Sequence, residues 1–420
     1  MSGPAPSPVP SPAADGGAVP QGSRPPIVAD VVIVGAGLGG TAAASVLARA
    51  GHRVALVDTH AVYPAEFRAE KLGAPHTALL GRLGLAEAAL GAATAIDGID
   101  VYRFGRRVAR HADREYGFAY SDLVNALRGA LPPSVAFLVG RVNDIATSAD
   151  GQSVVLGDGR RVEGRLLVVA TGLGDAIRRK VGVGRTELRK AHSLSLGFSL
   201  DRPAADYPFA SLAYYGLRRE DRVAYLTLFP IGDAMRANLF VYRDANEAWT
   251  RAFRTDPREA LLALMPGLER ACHGVGIAGR VQVRPIALTT SDAYRRDGVV
   301  LVGDAFCTTC PAPGVGIQRV LTDVERLCAV HVPRWLATPG MEADKIAAFY
   351  DDPIKRASDA KGLGLSEFSR SMAVDPGLIW SLRRFRNDAA RRGAAWLRDA
   401  TPALLSRIDR RLGHGYSMRS

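Results

Sequence analysis

The feature that most restricts the fold is Asp30-Val-Val-Ile-Val-Gly35-Ala-Gly37-Leu-Gly39-Gly40, followed by an alanine-rich run from Thr41 to Ala50 and then Val54-Ala-Leu-Val-Asp58. A continuous apolar, β-branched run reads as a strand buried on both faces of a parallel sheet. The glycines at its end make a turn without side chains. Gly35 permits the tight turn, Gly37 lets backbone N–H groups approach a pyrophosphate, and Gly40 lets the next helix pack close to the strand. The helix start points its positive dipole end at the phosphates. Asp58 ends the second strand, where a carboxylate accepts hydrogen bonds from an adenosine ribose. Strand, glycine turn, helix and acid in this order predict a dinucleotide-binding β-α-β unit rather than a bare glycine turn.

A chain of 420 residues has room for two or three domains. Its 47% apolar content with a mean hydropathy near zero predicts a soluble globular protein. No run approaches the ~20 apolar residues of a membrane span. The N-terminus, rich in Pro, Ala, Gly and Ser, lacks the basic and apolar blocks of a secretory signal, so residues 1–27 read as a disordered leader. Cys272, Cys307, Cys310 and Cys328 do not make a disulfide framework in so long a chain, and a reducing cytoplasm is the simplest setting. The net charge is +12, yet from Trp380 to Ser420 there are ten Arg against three Asp, so over half the excess sits in the tail. That placement argues against a nucleic-acid-binding body. The tail reads first as a solvated helix face, with weak contact to an anionic membrane or an acidic partner as the alternative.

Further along, Ile99 to Arg110 alternates apolar and basic residues as one exposed strand would. Asp122 to Leu131 reads as a helix stopped by Pro132-Pro133. A four-strand meander follows: Ser134 to Gly140, Asn143 to Thr147, Ser153 to Leu156 and Arg161 to Val162, with turns at Asp150-Gly151 and Asp158-Gly159. Leu166-Leu-Val-Val-Ala170-Thr-Gly172 is a second buried strand. From Ala191 the strands lengthen, which marks a separate α+β unit. The expected organisation is a first part of the dinucleotide domain (28–190, lending a strand near 97–111 to the insert), an inserted unit (191–284), a return to the first domain (285–345), and a helical, basic region (346–420). In that last region Leu378, Leu382, Phe385, Ala389, Trp396 and Ala400 form a stripe expected to dock against the body.

A second motif, Gly298-Val-Val-Leu-Val-Gly303-Asp304-Ala305 and then Pro311-Ala-Pro313-Gly314-Val-Gly316, ends another apolar strand in Gly-Asp and leads into a helix. A carboxylate there can hold a ribityl hydroxyl, and the helix start presents N–H groups to the electron-rich edge of a flavin ring. Its place far downstream of the phosphate loop favours FAD over NAD. From Val28 to Leu327 the chain resembles the flavoprotein aromatic hydroxylase family, the class A monooxygenases typified by p-hydroxybenzoate hydroxylase. The resemblance implies a Rossmann-like FAD-binding domain of α/β class with an inserted α+β substrate domain. It assigns Gly35, Gly37 and Gly40 to the phosphate loop, Asp58 to the ribose, Arg68 to the arginine after the second strand, Asp304 to the ribityl chain, and Pro311, Gly314 and Gly316 to the loop beside the isoalloxazine. The implied reaction hydroxylates or epoxidises an aromatic or polyketide-like molecule with O2 through a flavin C4a-hydroperoxide, with NADH or NADPH as donor.

One departure stands out. The family's Gly-Ala-Asp-Gly-x-x-Ser segment is replaced by Ala170-Thr-Gly-Leu-Gly174-Asp175-Ala-Ile-Arg178. Asp175 and Arg178 are the residues available to take over part of its role, and a separate flavin reductase is the other route for electrons. Cys307 and Cys310 read as small residues lining a cavity rather than as a zinc, redox or flavin-linking pair. His76 and His192 are the available proton handlers, each expected first as a structural histidine, and no catalytic base is assigned. Tyr214 and Tyr215 read equally as packing residues or ligands. The rivals on the same scaffold are a halogenase, against which the four isolated tryptophans count, and an ene-reductase of the geranylgeranyl-reductase kind. A non-catalytic flavin- or membrane-binding protein is the rival from another class.

Overall fold

The computed structural model describes residues 25–103, 105–216, 218–387 and 389. Five strands, β1 (Val31–Val34), β2 (Val54–Asp58), β3 (Ala136–Val139), β4 (Leu166–Val169) and β5 (Val299–Leu301), form one sheet in the spatial order β5-β4-β1-β2-β3. Every pairing is parallel. Val31, Ile33 and Val168 enter the core on one face, Val32, Val34 and Val169 on the other, which is why β1 and β4 carry no polar residue. The helix α1 (Leu38–Arg49) crosses back to β2 with Ala42, Ala43, Ala44 and Leu47 buried. Val34 pairs with both Val57 and Val169, so the chain leaves β1, β2 and β4 at one edge. A crevice outside the carboxyl ends of parallel strands is where folds of this class take ligands.

The β3 segment differs from the expected meander. Asn143 to Val162 does form antiparallel strands, but Ala136–Val139 pairs in parallel with β2. The preceding helix, Tyr120–Gly129, makes the crossover a parallel strand requires. As a half-buried edge strand, β3 lacks the continuous apolar run by which β1 and β4 are recognised.

A nine-stranded sheet forms the second layer. Its longest strands are Gly184–Pro203 and Ile277–Asp292, paired antiparallel, and between them in sequence come Leu212–Tyr215, Val223–Ile231 and Ala234–Val241. The expected single strand at 99–110 is a hairpin, Thr94–Arg103 and Arg106–Gly117, turning at Gly105 with φ of +74°. Apolar–basic alternation runs through both strands, so the pattern alone did not reveal the turn. One face of the sheet packs Leu194, Leu196, Phe198, Leu226 and Leu239 against Phe253, Leu261 and Leu268 of three short helices. The alternate residues, among them Ser195, Gly197, Thr227, Asn238 and Arg284, occupy the opposite face. There Arg284 donates to the Phe67 carbonyl at 2.9 Å, and a Cβ on Gly197 would sit 2.5 Å from the Phe67 ring. That face therefore abuts the segment that carries Arg68.

After β5 come α2 (Gly316–Arg326) and the long α3 (Pro353–Val374). A further helix at 378–387 departs from expectation: Leu378, Leu382 and Phe385 are 82%, 66% and 73% exposed instead of docked. Trp380 and Arg384 face the body instead, with Arg384 donating to the Ser371, Met372 and Asp375 carbonyls at the end of α3. Periodicity defines an apolar face but not which side a cap will turn inward. Trp396, Ala400 and residues 1–24 of the expected leader lie outside the described residues. No helix among the described residues is long and apolar enough to cross a membrane.

Candidate cofactor site

A single cleft at the strand ends is lined by Gly35, Gly37, Asp58, Arg68 and Asp304 of the expected residues, with Tyr63, Tyr120 and Gly303 beside them. A larger open hollow of about 420 Å³, at Val28, Arg53 and Gln152, holds none of these groups. Gly35 has φ of +102°, and a Cβ there would lie 2.6 Å from the Ala170 carbonyl oxygen. Gly40 does not line the cleft; a Cβ on it would fall 1.8 Å from the Gly35 oxygen, so it is where helix and turn touch. Gly37 is different. It caps α1 in an extended conformation, and a side chain there would meet only the Tyr63 ring at 3.8 Å. The protein leaves that space open at a helix start, which is the fit a pyrophosphate needs.

Asp58 is tightly set. Its Oδ2 accepts the Ala36 N–H at 2.7 Å and its Oδ1 the His60 N–H at 2.9 Å. Arg128 lies 3.3 Å from Oδ2 and donates to the Ala36 and His60 carbonyls at 2.8 and 2.7 Å. A carboxylate offers about four acceptor positions, so lone pairs remain for ribose hydroxyls. Arg128 was not legible in the sequence, because a separate helix delivers it. Burial pulls its pKa below the guanidinium range, with Asp58 opposing.

The other end of the cleft begins at Gly303, with φ of +63° and an N–H donated to Asp323 Oδ2 at 2.9 Å. Asp304 Oδ1 accepts from Arg319 at 3.0 Å, and its Oδ2 lies 3.7 Å from Arg68. Arg68 pairs with Glu66 at 2.7 Å; burial opposes its charge, but the Glu66 hydrogen bond and neighbouring Tyr120 hold its pKa above the ordinary range. Behind Asp304 lies a buried charge cluster. Lys355 Nζ donates to Asp323 at 3.0 Å and Asp359 at 2.9 Å, and Arg319 reaches Asp359 at 3.5 Å. Both cations are 1% exposed. Arg319 and Asp323 sit one turn apart on α2, a shared face the sequence could have revealed; Lys355 and Asp359 arrive only through the packing of α3.

Pro311, Gly314 and Gly316 form the turn into α2 and are not among the cleft's lining residues. Gly314 has φ of +73°, and its N–H donates to the Pro311 carbonyl at 2.9 Å. His76 braces this turn. Its Nδ1 accepts the Gly73 N–H at 3.0 Å, so Nε2 carries the proton and donates to the Gly314 carbonyl at 3.1 Å. Burial lowers its pKa and favours this neutral form. Tyr225 donates to the Ala312 carbonyl at 2.8 Å.

His192 is fully buried and packed between Ser193, Tyr242 and the Ser366 carbonyl of α3, with burial and then Arg370 pushing its pKa down to about 4. It is a packing histidine. Tyr214 is likewise buried, stacked on Tyr102. Burial pushes the Cys307 and Cys310 thiols up to about 11, so both are protonated at neutral pH. Asp175 pairs with Arg178 at 2.6 Å and Arg185 at 3.1 Å, and neither Asp175 nor Arg178 lines the cleft.

A family model described as FAD binding domain matches residues 28–330. The chain belongs to this FAD binding domain family. Squalene monooxygenase 1,1 of Brassica napus is 24% identical over 349 residues, 77% of this chain and 66% of the relative. Aklavinone 12-hydroxylase DnrF of Streptomyces peucetius is 27% identical over 339 residues, 70% of this chain and 65% of the relative. The match thus spans slightly less than two thirds of the length of either relative. The crystal structure of p-nitrophenol 4-monooxygenase PnpA from Pseudomonas putida DLL-E4 aligns with a TM-score of 0.67 at 15% identity, covering 91% of this chain and 98% of that one, a likeness of fold. The family match and these relatives bear out the class A monooxygenase resemblance and FAD as the cofactor.

Proposed function

We propose that the chain is an FAD-dependent monooxygenase that places one oxygen atom of O2 on an aromatic or polyketide-like small molecule, by hydroxylation or epoxidation, with NADH or NADPH as the electron source. One observation carries the reading: the open cradle at Gly37 and the carboxylate at Asp304 belong to one cleft, in a chain whose family binds FAD. Bound there and reduced, FAD supplies the activation of O2. The protein's residues do the positioning. N–H groups at the start of α1 take the pyrophosphate, and Asp58, aligned by the Ala36 and His60 N–H groups, takes the ribose. Asp304, aimed by Arg319, takes a ribityl hydroxyl, while Arg68 balances charge between Glu66 and Asp304. The Pro311–Gly316 turn, which lies outside the cleft's lining, is braced by His76 and Tyr225 and would reach the ring only from its edge.

The covering sheet supports the substrate class. Ser195 Oγ, Thr227 Oγ1 and Asn238 Oδ1 are buried on its inner face and have no hydrogen-bond partner among the described residues. Hydroxyl or carbonyl groups of a bound substrate would satisfy them. Ala170, Thr171 and Gly172 of the departing segment line the cleft, while Asp175 is held by Arg178 and Arg185 outside it, so electrons come either directly from the nicotinamide donor or through a separate flavin reductase.

The test is anaerobic stopped-flow mixing of the holoprotein with NADH or NADPH, with and without phenols and polyketides, followed by isotopically labelled O2. Flavin bleaching reads the donor. A product carrying one labelled oxygen atom is expected. A saturated product formed without O2 uptake would overturn the reading in favour of an ene-reductase.

A further inference from the structure

The helix at 378–387 presents an apolar face that the body leaves uncovered. Leu378, Ile379, Leu382 and Phe385 are 82%, 67%, 66% and 73% exposed. Single exposed apolar residues are ordinary, but four within one short helix form a contiguous patch. The orientation is held from the opposite side. Trp380 meets the Phe368 ring edge-on at 5.5 Å, and Arg384 caps the end of α3 through three carbonyls. At about 100° per residue, Trp380 and Arg384 share one side of the helix, and Leu378, Leu382 and Phe385 lie on the other. Arg383 and Arg386 lie along one edge of the apolar side, beside Ile379, with the Arg383 guanidinium over the Trp380 ring at 4.9 Å. Docking to the body therefore turns the greasy face outward.

The charge says what that face meets. Ten Arg and three Asp lie between Trp380 and Ser420, against a net charge of +12 for the whole chain. Basic side chains along one edge of an apolar stripe, in a tail segment rich in arginine, match a surface that is anionic outside and hydrocarbon beneath. A purely acidic protein partner would leave the four apolar side chains unsatisfied. The patch is also too short to cross a bilayer: no described helix is long and apolar enough to do so.

We propose that this helix seats the protein on an anionic lipid surface. Leu378, Ile379, Leu382 and Phe385 enter the boundary between headgroups and acyl chains, and Arg383 and Arg386 pair with lipid phosphates. The inference stands apart from the catalytic reading, since none of these residues lines the cofactor cleft.

The experiment is co-sedimentation of the full-length holoprotein with vesicles of phosphatidylcholine alone and of phosphatidylcholine mixed with phosphatidylglycerol. Binding to the anionic vesicles is expected, weakened by added salt. Combined Leu378→Ser, Ile379→Ser, Leu382→Ser and Phe385→Ser should weaken it by at least about tenfold, with bound flavin and melting temperature unchanged. Arg383→Gln with Arg386→Gln should reduce the preference for phosphatidylglycerol. Failure to bind either vesicle, equal binding to both, or undiminished binding of the fourfold variant would overturn the proposal. So would a dimer by light scattering that the fourfold variant abolishes without any lipid binding, which would make a second copy the occupant. Lipid binding that appears only after residues 391–420 are removed would do the same, making the chain's own tail the occupant.

Discussion

Gly37 and Gly40 belong to one glycine motif, yet the structure gives them opposite reasons for being glycine, and substitution separates the two. Gly37 has φ of −75° and ψ of −167°, a conformation open to any residue, and a Cβ there would meet only Tyr63 at 3.8 Å. Gly37→Val should therefore cost the apoprotein only the difference in helix-capping preference, about 1 kcal/mol. The same side chain fills the cradle at the helix start. If it denies the pyrophosphate two charge-assisted N–H bonds worth ~1.5–3 kcal/mol each, affinity falls by ~3–6 kcal/mol. That is a rise in Kd of roughly two to four powers of ten. In Gly40→Ala the added methyl would fall 1.8 Å from the Gly35 backbone oxygen, so the helix must shift away from the turn. That overpacking should cost ~1–3 kcal/mol of stability with or without FAD. Calorimetric titration of each apoprotein with FAD, beside urea unfolding of the same samples, reads both quantities. A Gly37→Val protein that binds FAD as tightly as the parent refutes the cradle. A Gly37→Val apoprotein destabilised by well over about 1 kcal/mol refutes the division of roles.

Asp304→Ala should lower FAD retention by ~1.5–3 kcal/mol through loss of a charged acceptor; unchanged flavin content and spectrum after purification would count against that role. Lys355→Met strands the buried Asp323 and the partly buried Asp359, and should destabilise by ~3–5 kcal/mol, with part of the loss recovered when Asp359→Asn is added. Urea unfolding of the pair gives the answer, and no recovery in the double variant would contradict the pairing. Asp352 caps α3 and also bonds Arg326 and His331; burial pushes its pKa up, but these partners outweigh it and hold it at about 2, below the ordinary 3.8. A lowered folded pKa contributes stability above about pH 4 that is lost as pH falls through about 2, here ~2 kcal/mol. Asp352→Asn keeps the cap and removes the charge. Its stability gap from the parent should be full at neutral pH and close in acid; a gap that persists at pH 2 would disprove the linkage.

What was legible in the chain was whatever local chemistry constrains. Val31 to Gly40 reads as strand, turn and helix because a doubly buried strand must be apolar throughout and a phosphate turn must lack side chains. Gly298 to Asp304 was readable for the same reason, and with it the FAD-binding family. β3 was missed because a half-buried edge strand has no such signature, and the hairpin at Gly105 because one alternation runs through both of its strands. The supports of the site were hidden more deeply. Arg128 behind Asp58, and Lys355 with Asp359 behind Asp304, come from helices far away in sequence, and a charged residue in a helix looks alike whether it faces water or a buried partner. The exposed stripe at Leu378 makes the same point in reverse. Periodicity alone determined that residues 378–385 have an apolar face. Only the tertiary structure, through the grip of Trp380 and Arg384 on α3, decided that this face turns outward.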